Sequence, residues 1–215
     1  TLFRSTAVIA NPNAPTGLFM PLYDIEEIVA SNSGRVVIVD EAYVDFGGQS
    51  AVGLIKKYDN LLVTGTFSKS RSMAGARLGF GFACEALISD LNTIRFSTNP
   101  YNVNRMTCAA GAAALSEQEY YDENAKKIIE NREFTKSELE KLGFETTESK
   151  ANFIFAKSEK ISGHRLYERL KEKGVLVRHF ANGRISDYNR ITVGTLDQMK
   201  ILLEKIGEIL KEEEK

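Results

Sequence analysis

The sequence has 215 residues and a formal net charge of −1, from 28 basic and 29 acidic side chains. This balance creates no long-range field that would attract nucleic acid or an anionic membrane. Hydrophobic residues make up 43% of the sequence and charged residues 27%, which is typical of a globular protein and excludes a disordered chain. We therefore expect neither nucleic acid nor a membrane among its partners.

Four short apolar runs in the first half of the chain are predicted to be buried strands. They lie at residues 7–10, 36–39, 61–63 and 78–83. After Pro21, the apolar residues Leu22, Ile25, Ile28 and Val29 have helical spacing, and such a helix can serve as the crossover between two parallel strands. The alternation predicts an α/β domain with a mostly parallel sheet.

The second half of the chain has the pattern of a small α+β domain. A long charged segment, residues 117–141, is predicted to be a helix that leaves the first domain. The elements expected after it are strands at 152–156, 175–177 and 191–193 and helices at 164–173 and 197–210. The predicted organisation is a partial large domain (1–116), a connecting helix (117–145) and a small domain (146–215).

Cysteine usage bears on the compartment and on metal binding. Cys84 and Cys108 do not have the spacing of a metal site, and two cysteines in a chain of this length favour a reducing compartment over a disulfide scaffold. The two histidines, His164 and His179, have no partner at metal-ligand spacing. We expect a cytoplasmic protein without a metal.

Polar groups follow three of the predicted strands, where ligands of open parallel sheets bind. The first strand is followed by Asn11 in the turn Asn-Pro-Asn-Ala-Pro-Thr-Gly, which could also be a plain connection. The second ends in Asp40-Glu-Ala-Tyr43, where Asp40 could be a cofactor ligand, a helix cap or a paired structural acid. The third ends in Thr66-Phe-Ser-Lys69, and a lysine among small hydroxyl residues is a candidate nucleophilic amine.

These groups together suggest pyridoxal 5'-phosphate as cofactor. A lysine amine can form a Schiff base with its aldehyde, and a buried acid can keep its ring nitrogen protonated. Hydroxyl groups and a guanidinium group such as that of Arg77 suit its phosphate.

The motifs, in the same order and spacing, resemble those of the fold-type I pyridoxal-phosphate aminotransferases. The resemblance rests on the three segments above and on Ala74-Gly-Ala-Arg77-Leu-Gly, and it covers essentially the whole chain. Within that class the chain is most similar to the histidinol-phosphate aminotransferases, because of the segments Asn99-Pro-Tyr-Asn-Val-Asn-Arg, Val177-Arg-His-Phe and Arg190-Ile-Thr-Val-Gly-Thr.

The resemblance implies a role for each matching residue. Lys69 would bind the cofactor covalently and move the substrate Cα proton, and Asp40 would pair with the pyridinium nitrogen. The phenolic oxygen of the cofactor would be bound by Asn11 and Tyr43, and its phosphate by Thr66, Ser68 and Arg77. Arg190 would bind the substrate α-carboxylate and Arg178 the substrate phosphate, although Arg178 could also be an exposed arginine at a strand end.

The resemblance also implies a fold, a reaction and a partner. The four strands of the large domain would be contiguous, with the last antiparallel to the others, and the Ala14–Pro15 peptide would be cis. The reaction would convert histidinol phosphate and 2-oxoglutarate to imidazole acetol phosphate and glutamate in histidine biosynthesis, in a homodimer.

Members of this class extend upstream of the segment seen here, so we expect the chain to be the later part of such an enzyme. The upstream part would carry a glycine turn at the phosphate, a ring that stacks on the cofactor and an N-terminal arm. The alternatives are an aromatic aminotransferase, a threonine-phosphate decarboxylase or a truncated domain without activity.

Overall fold

The computed structural model describes residues 6–213, which form two compact units. The first consists of residues 6–13 and 19–124, and the second of residues 14–18 and 125–213. The last of the three passages between the units, after residue 124, lies inside a long helix, Gln118–Lys141. The three-part division inferred from the sequence stays a prediction.

The first unit contains a four-stranded sheet in the order β1-β2-β3-β4. Strands β1 to β3 are parallel and β4 is antiparallel to β3, which confirms the expected arrangement. The strands are β1 (Ala7–Ala10), β2 (Val37–Asp40), β3 (Leu61–Thr66) and β4 (Gly79–Phe82).

Helix α1 (Leu22–Ser31) confirms the helix predicted after Pro21. Its first position follows a proline, whose fixed φ suits a helix start. The apolar stripe of α1 buries Ile25 and Val29 completely against one face of the sheet, where Val37 and Val39 of β2 also lie. The crossover from β1 to β2 is thereby fixed on that face.

Two helices of the first unit, α2 (Glu85–Thr98) and α3 (Arg105–Ser116), were not predicted from the sequence. Helix α2 buries none of its residues, although its apolar residues Leu87, Leu91 and Ile94 have the helical spacing i, i+4, i+7. Helix α3 buries Thr107, Gly111 and Ala114, which are too small or too polar to produce a clear hydrophobic period.

The second unit is an antiparallel sheet of order β5-β6-β8-β7 with three helices. Its elements are α4 (Gln118–Lys141, which begins in the first unit), β5 (Phe144–Thr146), β6 (Phe153–Ser158), α5 (Gly163–Glu172), β7 (Arg178–His179), β8 (Asn189–Thr192) and α6 (Leu196–Glu213). The core lies between one face of the sheet and α5 and α6, with Leu170, Ile206 and Ile209 fully buried.

The strand predicted at residues 175–177 is wrong. The amide of Val175 still donates to the carbonyl of Leu170 (2.8 Å), and Gly174 has φ of +80°, so these residues close the end of α5. Strand β7 therefore begins only at Arg178. The side chains of Val175 and Val177 pack against the core without joining the sheet.

Candidate active site

The carboxyl ends of β1, β2 and β3 lie side by side in the first unit. Ala10 is in register with Asp40, and Asp40 with Thr64. The pairing extends past the strands, because the amide of Asn11 donates to the carbonyl of Asp40 and the amide of Glu41 to that of Thr64, both at 2.8 Å. The polar segments after the three strands thus start from one edge of the sheet.

Asn11 is 3% exposed, and its side chain is held by the backbone of Met20. Its Oδ1 accepts from the Met20 amide (2.8 Å), and its Nδ2 donates to the Met20 carbonyl (3.0 Å). A carboxamide nitrogen carries two hydrogens, so one N–H remains for a ligand. The peptide bonds Asn11–Pro12 and Ala14–Pro15 are both cis; the second confirms the expectation, and the first was not predicted.

Asp40 is exposed, contrary to the expectation that it is more buried than an ordinary acid. Side chains alternate along β2, so that Val37 and Val39 face α1 and Asp40 lies on the opposite face. That face also carries Val8 of β1, which is 67% exposed. The Asp40 carboxylate accepts a hydrogen bond from the Ala42 amide (3.0 Å), which orients it at the end of the strand.

Lys69 lies beside Tyr43, with its Nζ 5.0 Å from the centre of the tyrosine ring. This is within the range of a cation–π interaction. The hydroxyl of the next residue, Ser70, is hydrogen-bonded to the carboxylate of Asp45. The segment after β3 is therefore fastened to the segment after β2 at two neighbouring points, and Asp45 and Ser70 are site residues that sequence reasoning missed.

Hydroxyl groups cluster around the turn before Lys69. The Oγ atoms of Thr66 and Ser68 are 2.9 Å apart, and the Ser68 amide donates to Thr66 Oγ1 (3.1 Å). The Phe67 amide donates to the carbonyl of Leu78 (3.1 Å), which brings the segment of Arg77 to this turn.

Arg77 has a left-handed backbone, with φ of +55°, and its side chain is exposed. Its Nη1 donates to the Ala74 carbonyl (3.0 Å), and it makes no ion pair within residues 6–213. Two hydroxyl groups and a guanidinium without an ion pair are donors that a phosphate binds. This donor set fits the phosphate of the expected cofactor.

Glu41 is a buried acid that sequence reasoning did not select. It is 7% exposed, and its carboxylate accepts hydrogen bonds from Ser50 Oγ and from the Ala51 amide, both at 2.6 Å. Burial raises the pKa of this carboxyl above its usual value of 4.5, although the two hydrogen bonds act in the opposite direction. Since Glu41 lies between Asp40 and Tyr43, its anchoring fixes the backbone of that segment.

The two arginines predicted to bind substrate lie in the second unit. Arg178 of β7 is directly opposite Arg190 of β8, so both side chains start from the same face of the sheet. The Nε of Arg190 is buried without a hydrogen-bond partner. Neither arginine forms an ion pair with any residue in the described part of the chain.

Within residues 6–213 there is neither a cluster of metal-binding side chains nor a membrane-spanning helix. No group of three or more histidine, cysteine, aspartate or glutamate side chains among them is arranged to hold a metal ion. None of the helices in that range has both the length and the apolar character needed to cross a membrane.

Comparison with known proteins shows extended similarity. Residues 5–206 match the family model described as aminotransferase class I and II. The histidinol-phosphate aminotransferase of Brachyspira hyodysenteriae is 50% identical over 204 residues, which cover 94% of this chain and 58% of the relative. That of Clostridium beijerinckii is 47% identical over 208 residues, which cover 97% of this chain and 58% of the relative.

A solved structure has the same fold. The histidinol-phosphate aminotransferase of Clostridium acetobutylicum superposes with a TM-score of 0.87 at 27% identity, over 96% of this chain and 64% of that one. The chain spans about 58% of the length of the curated relatives it matches. On the match to the family model, which covers nearly all of its residues, the chain belongs to the class I and II aminotransferase family.

Proposed function

We propose that this chain is part of a pyridoxal-phosphate-dependent aminotransferase. The proposed reaction converts histidinol phosphate and 2-oxoglutarate to imidazole acetol phosphate and glutamate, a step of histidine biosynthesis. The observation that carries the proposal is the placement of the Lys69 amine against Tyr43, directly after the hydroxyl cluster of Thr66 and Ser68. The names of the relatives support the choice of substrate.

The first unit would hold the cofactor. When bound, pyridoxal phosphate acts as an electron sink that stabilises negative charge at the substrate Cα. The Asp40 carboxylate would keep the ring nitrogen protonated, and Tyr43 and the remaining N–H of Asn11 would donate to the phenolic oxygen. Thr66, Ser68 and Arg77 would bind the phosphate.

Lys69 has two tasks in this scheme. Its amine would hold the cofactor, and the same amine, when free, would accept the proton from the substrate Cα. The amine must be neutral for either task. A cationic neighbour would favour the neutral form of the amine, and a carboxylate would favour the charged form. The contact of the amine is with the ring of Tyr43 and not with a carboxylate, so Tyr43 orients the lysine without forming an ion pair with it.

The second unit would bind the substrate anions. A planar guanidinium can donate to both oxygens of a carboxylate, and we assign to Arg190 the α-carboxylate of glutamate, since histidinol phosphate carries a phosphate and no carboxylate. We assign the substrate phosphate to Arg178. Their freedom from ion pairs with described residues supports both assignments, because a paired arginine would first have to leave its partner.

We further propose that the protein works as a homodimer in the cytoplasm. Association is supported by the apolar side chains that α2 exposes, namely Leu91, Ile94 and Phe96. Patches of this kind on a globular protein commonly mark contact surfaces. Two free cysteines are compatible with a reducing compartment.

The experiment that tests the function is a half-reaction. Purified protein is saturated with pyridoxal phosphate and mixed with histidinol phosphate, phenylalanine or threonine phosphate, and the cofactor spectrum and the oxo-acid product are followed. We expect histidinol phosphate to react fastest and Lys69→Ala to be inactive. Faster reaction with phenylalanine would indicate an aromatic aminotransferase. Loss of carbon dioxide from threonine phosphate would indicate a threonine-phosphate decarboxylase. The absence of reaction with every donor would indicate a domain without activity.

A further inference from the structure

The second unit presents two arginines and a group of aromatic rings on the face of its sheet away from α5 and α6. Arg190 lies opposite Phe155 of β6 on one side and opposite Arg178 of β7 on the other. Residues directly opposite in an antiparallel pair point to the same face. The core residues Ile154 and Ile191, one position along each strand, point the other way, toward the helices.

One ring, that of Phe180, lies near both guanidinium groups. The Cζ atom of Arg178 is 5.5 Å from its centre and the Cζ atom of Arg190 is 5.9 Å from it. Arg190 is also 5.1 Å from the centre of the Phe153 ring. All three distances are within the roughly 6 Å range of cation–π contacts.

The charges of this arrangement are unusual. Two like charges at directly opposite positions of an antiparallel pair destabilise the sheet. Neither arginine forms an ion pair with a carboxylate within residues 6–213, and the Nε of Arg190 is buried without a hydrogen-bond partner. The negative face of an aromatic ring is thus the partner that both guanidinium groups share, and it leaves their N–H groups available for an anion.

Phe180 is itself fixed by neighbouring rings. It meets Phe155 in an edge-to-face contact at 6.2 Å, and Phe155 is stacked on Tyr188 at 4.4 Å with the two planes only 6° apart. Phe155 is 2% exposed. Phe180 is therefore held by a rigid support, and a rigid ring can restrict the rotamers of two long side chains.

We infer that Phe180 is a positioning residue for substrate recognition. Its ring holds Arg178 and Arg190 side by side as a preorganised pair for the anionic groups of the two substrates, the phosphate of histidinol phosphate and the carboxylates of glutamate. The inference rests on the proposed function, because it assumes that these arginines bind the substrate. Phe180 touches none of these anionic groups in this scheme and acts only through the arginines.

The test compares wild-type protein with Phe180→Leu, which keeps an apolar side chain but loses the ring, and with Phe180→Tyr, which keeps the ring. Histidinol phosphate and inorganic phosphate are titrated into each protein and binding is measured by calorimetry. In parallel, the Nε–H signals of the two arginines are recorded by nuclear magnetic resonance, because a ring face shifts the signals of protons held above it. Thermal unfolding by circular dichroism reports whether each variant is folded.

We expect Phe180→Leu to be folded, to lose the ring-induced shifts and to bind histidinol phosphate on the order of tenfold more weakly, since two cation–π contacts are lost. Phe180→Tyr should retain both properties. Unchanged affinity in Phe180→Leu, or an equal loss in Phe180→Tyr, would overturn the inference and leave the proposed substrate intact. If wild-type protein binds neither probe, the proposed substrate and the inference fail together; cofactor binding at Lys69 would then remain as a separate result.

Discussion

Replacing Glu41 by alanine removes the anchor of the segment that carries Asp40 and Tyr43. The carboxylate accepts two hydrogen bonds of 2.6 Å, from Ser50 Oγ and from the buried amide of Ala51. A buried donor left without an acceptor costs about 1–3 kcal/mol, and a small cavity adds to this. Burial raises the pKa of Glu41, so part of the loss is offset when the buried charge disappears. We expect the free energy of unfolding to fall by about 2 kcal/mol.

The assay is urea unfolding followed by circular dichroism, with two control variants. Glu41→Gln should retain most of the stability, because its carbonyl can accept from the Ala51 amide and its NH2 group can donate to Ser50 Oγ. Glu27→Ala changes an exposed acid of α1 and should shift the free energy by less than about 0.5 kcal/mol. A Glu41→Ala protein as stable as Glu27→Ala would refute the reasoning.

The raised pKa of Glu41 also predicts how the free energy of unfolding changes with pH. A carboxyl whose pKa is raised by folding holds its proton more tightly in the folded state than in the unfolded state. The unfolding free energy of wild-type protein should therefore fall, relative to that of Glu41→Gln, as the pH rises from about 4.5 through the raised pKa of Glu41. Other groups titrate in both proteins and cancel in the difference. A difference that is constant or grows with pH would contradict the assignment.

Two further substitutions test the second unit. Gly17 has φ of +73°, and a Cβ added there would lie 2.2 Å from Ser149 Oγ. Gly17→Ala should therefore lower the free energy of unfolding in urea by more than about 1 kcal/mol. Gly34→Ala, with no atom within 4 Å of the added Cβ, should be nearly neutral. Leu139 is fully buried, so Leu139→Ala should lower the free energy of unfolding by about 2–5 kcal/mol. Leu176 is 77% exposed, so Leu176→Ala should change it by less than about 0.5 kcal/mol. Equal effects in either pair would show that the packing described here is wrong.

Elements with a strong periodic signal were predictable from the sequence. Strands β1 to β4 are short apolar runs, and α1 combines a preceding proline with apolar residues at helical spacing. Helix α2 was not predicted, although Leu87, Leu91 and Ile94 have helical spacing, and in the structure it buries none of its residues. Residues 175–177 are apolar and were therefore expected to form a strand. In the structure the amide of Val175 donates to the carbonyl of Leu170, so that this segment ends helix α5 instead.

The candidate site was predictable where a residue's role follows from its chemistry, and less so where it depends on packing. The sequence places Lys69 and Tyr43 after neighbouring strands, and in the structure they are in contact. It does not reveal that Asp40 lies on an open face of the sheet or that the neighbouring Glu41 is the buried acid. Because side chains of a strand alternate between faces, a shift of one residue exchanges an exposed acid for a buried one.

The central claim is that Lys69 is the amine that binds the cofactor. It is tested most directly by incubating the protein with an excess of pyridoxal phosphate, reducing the covalent link with borohydride and locating the label by peptide mass spectrometry. Reduction traps a link even when the cofactor is held weakly. We expect one label per chain, on the peptide that contains Lys69. In Lys69→Ala we expect no label above the background of exposed lysines. Labelling spread over several lysines, or equal in Lys69→Ala, would contradict it.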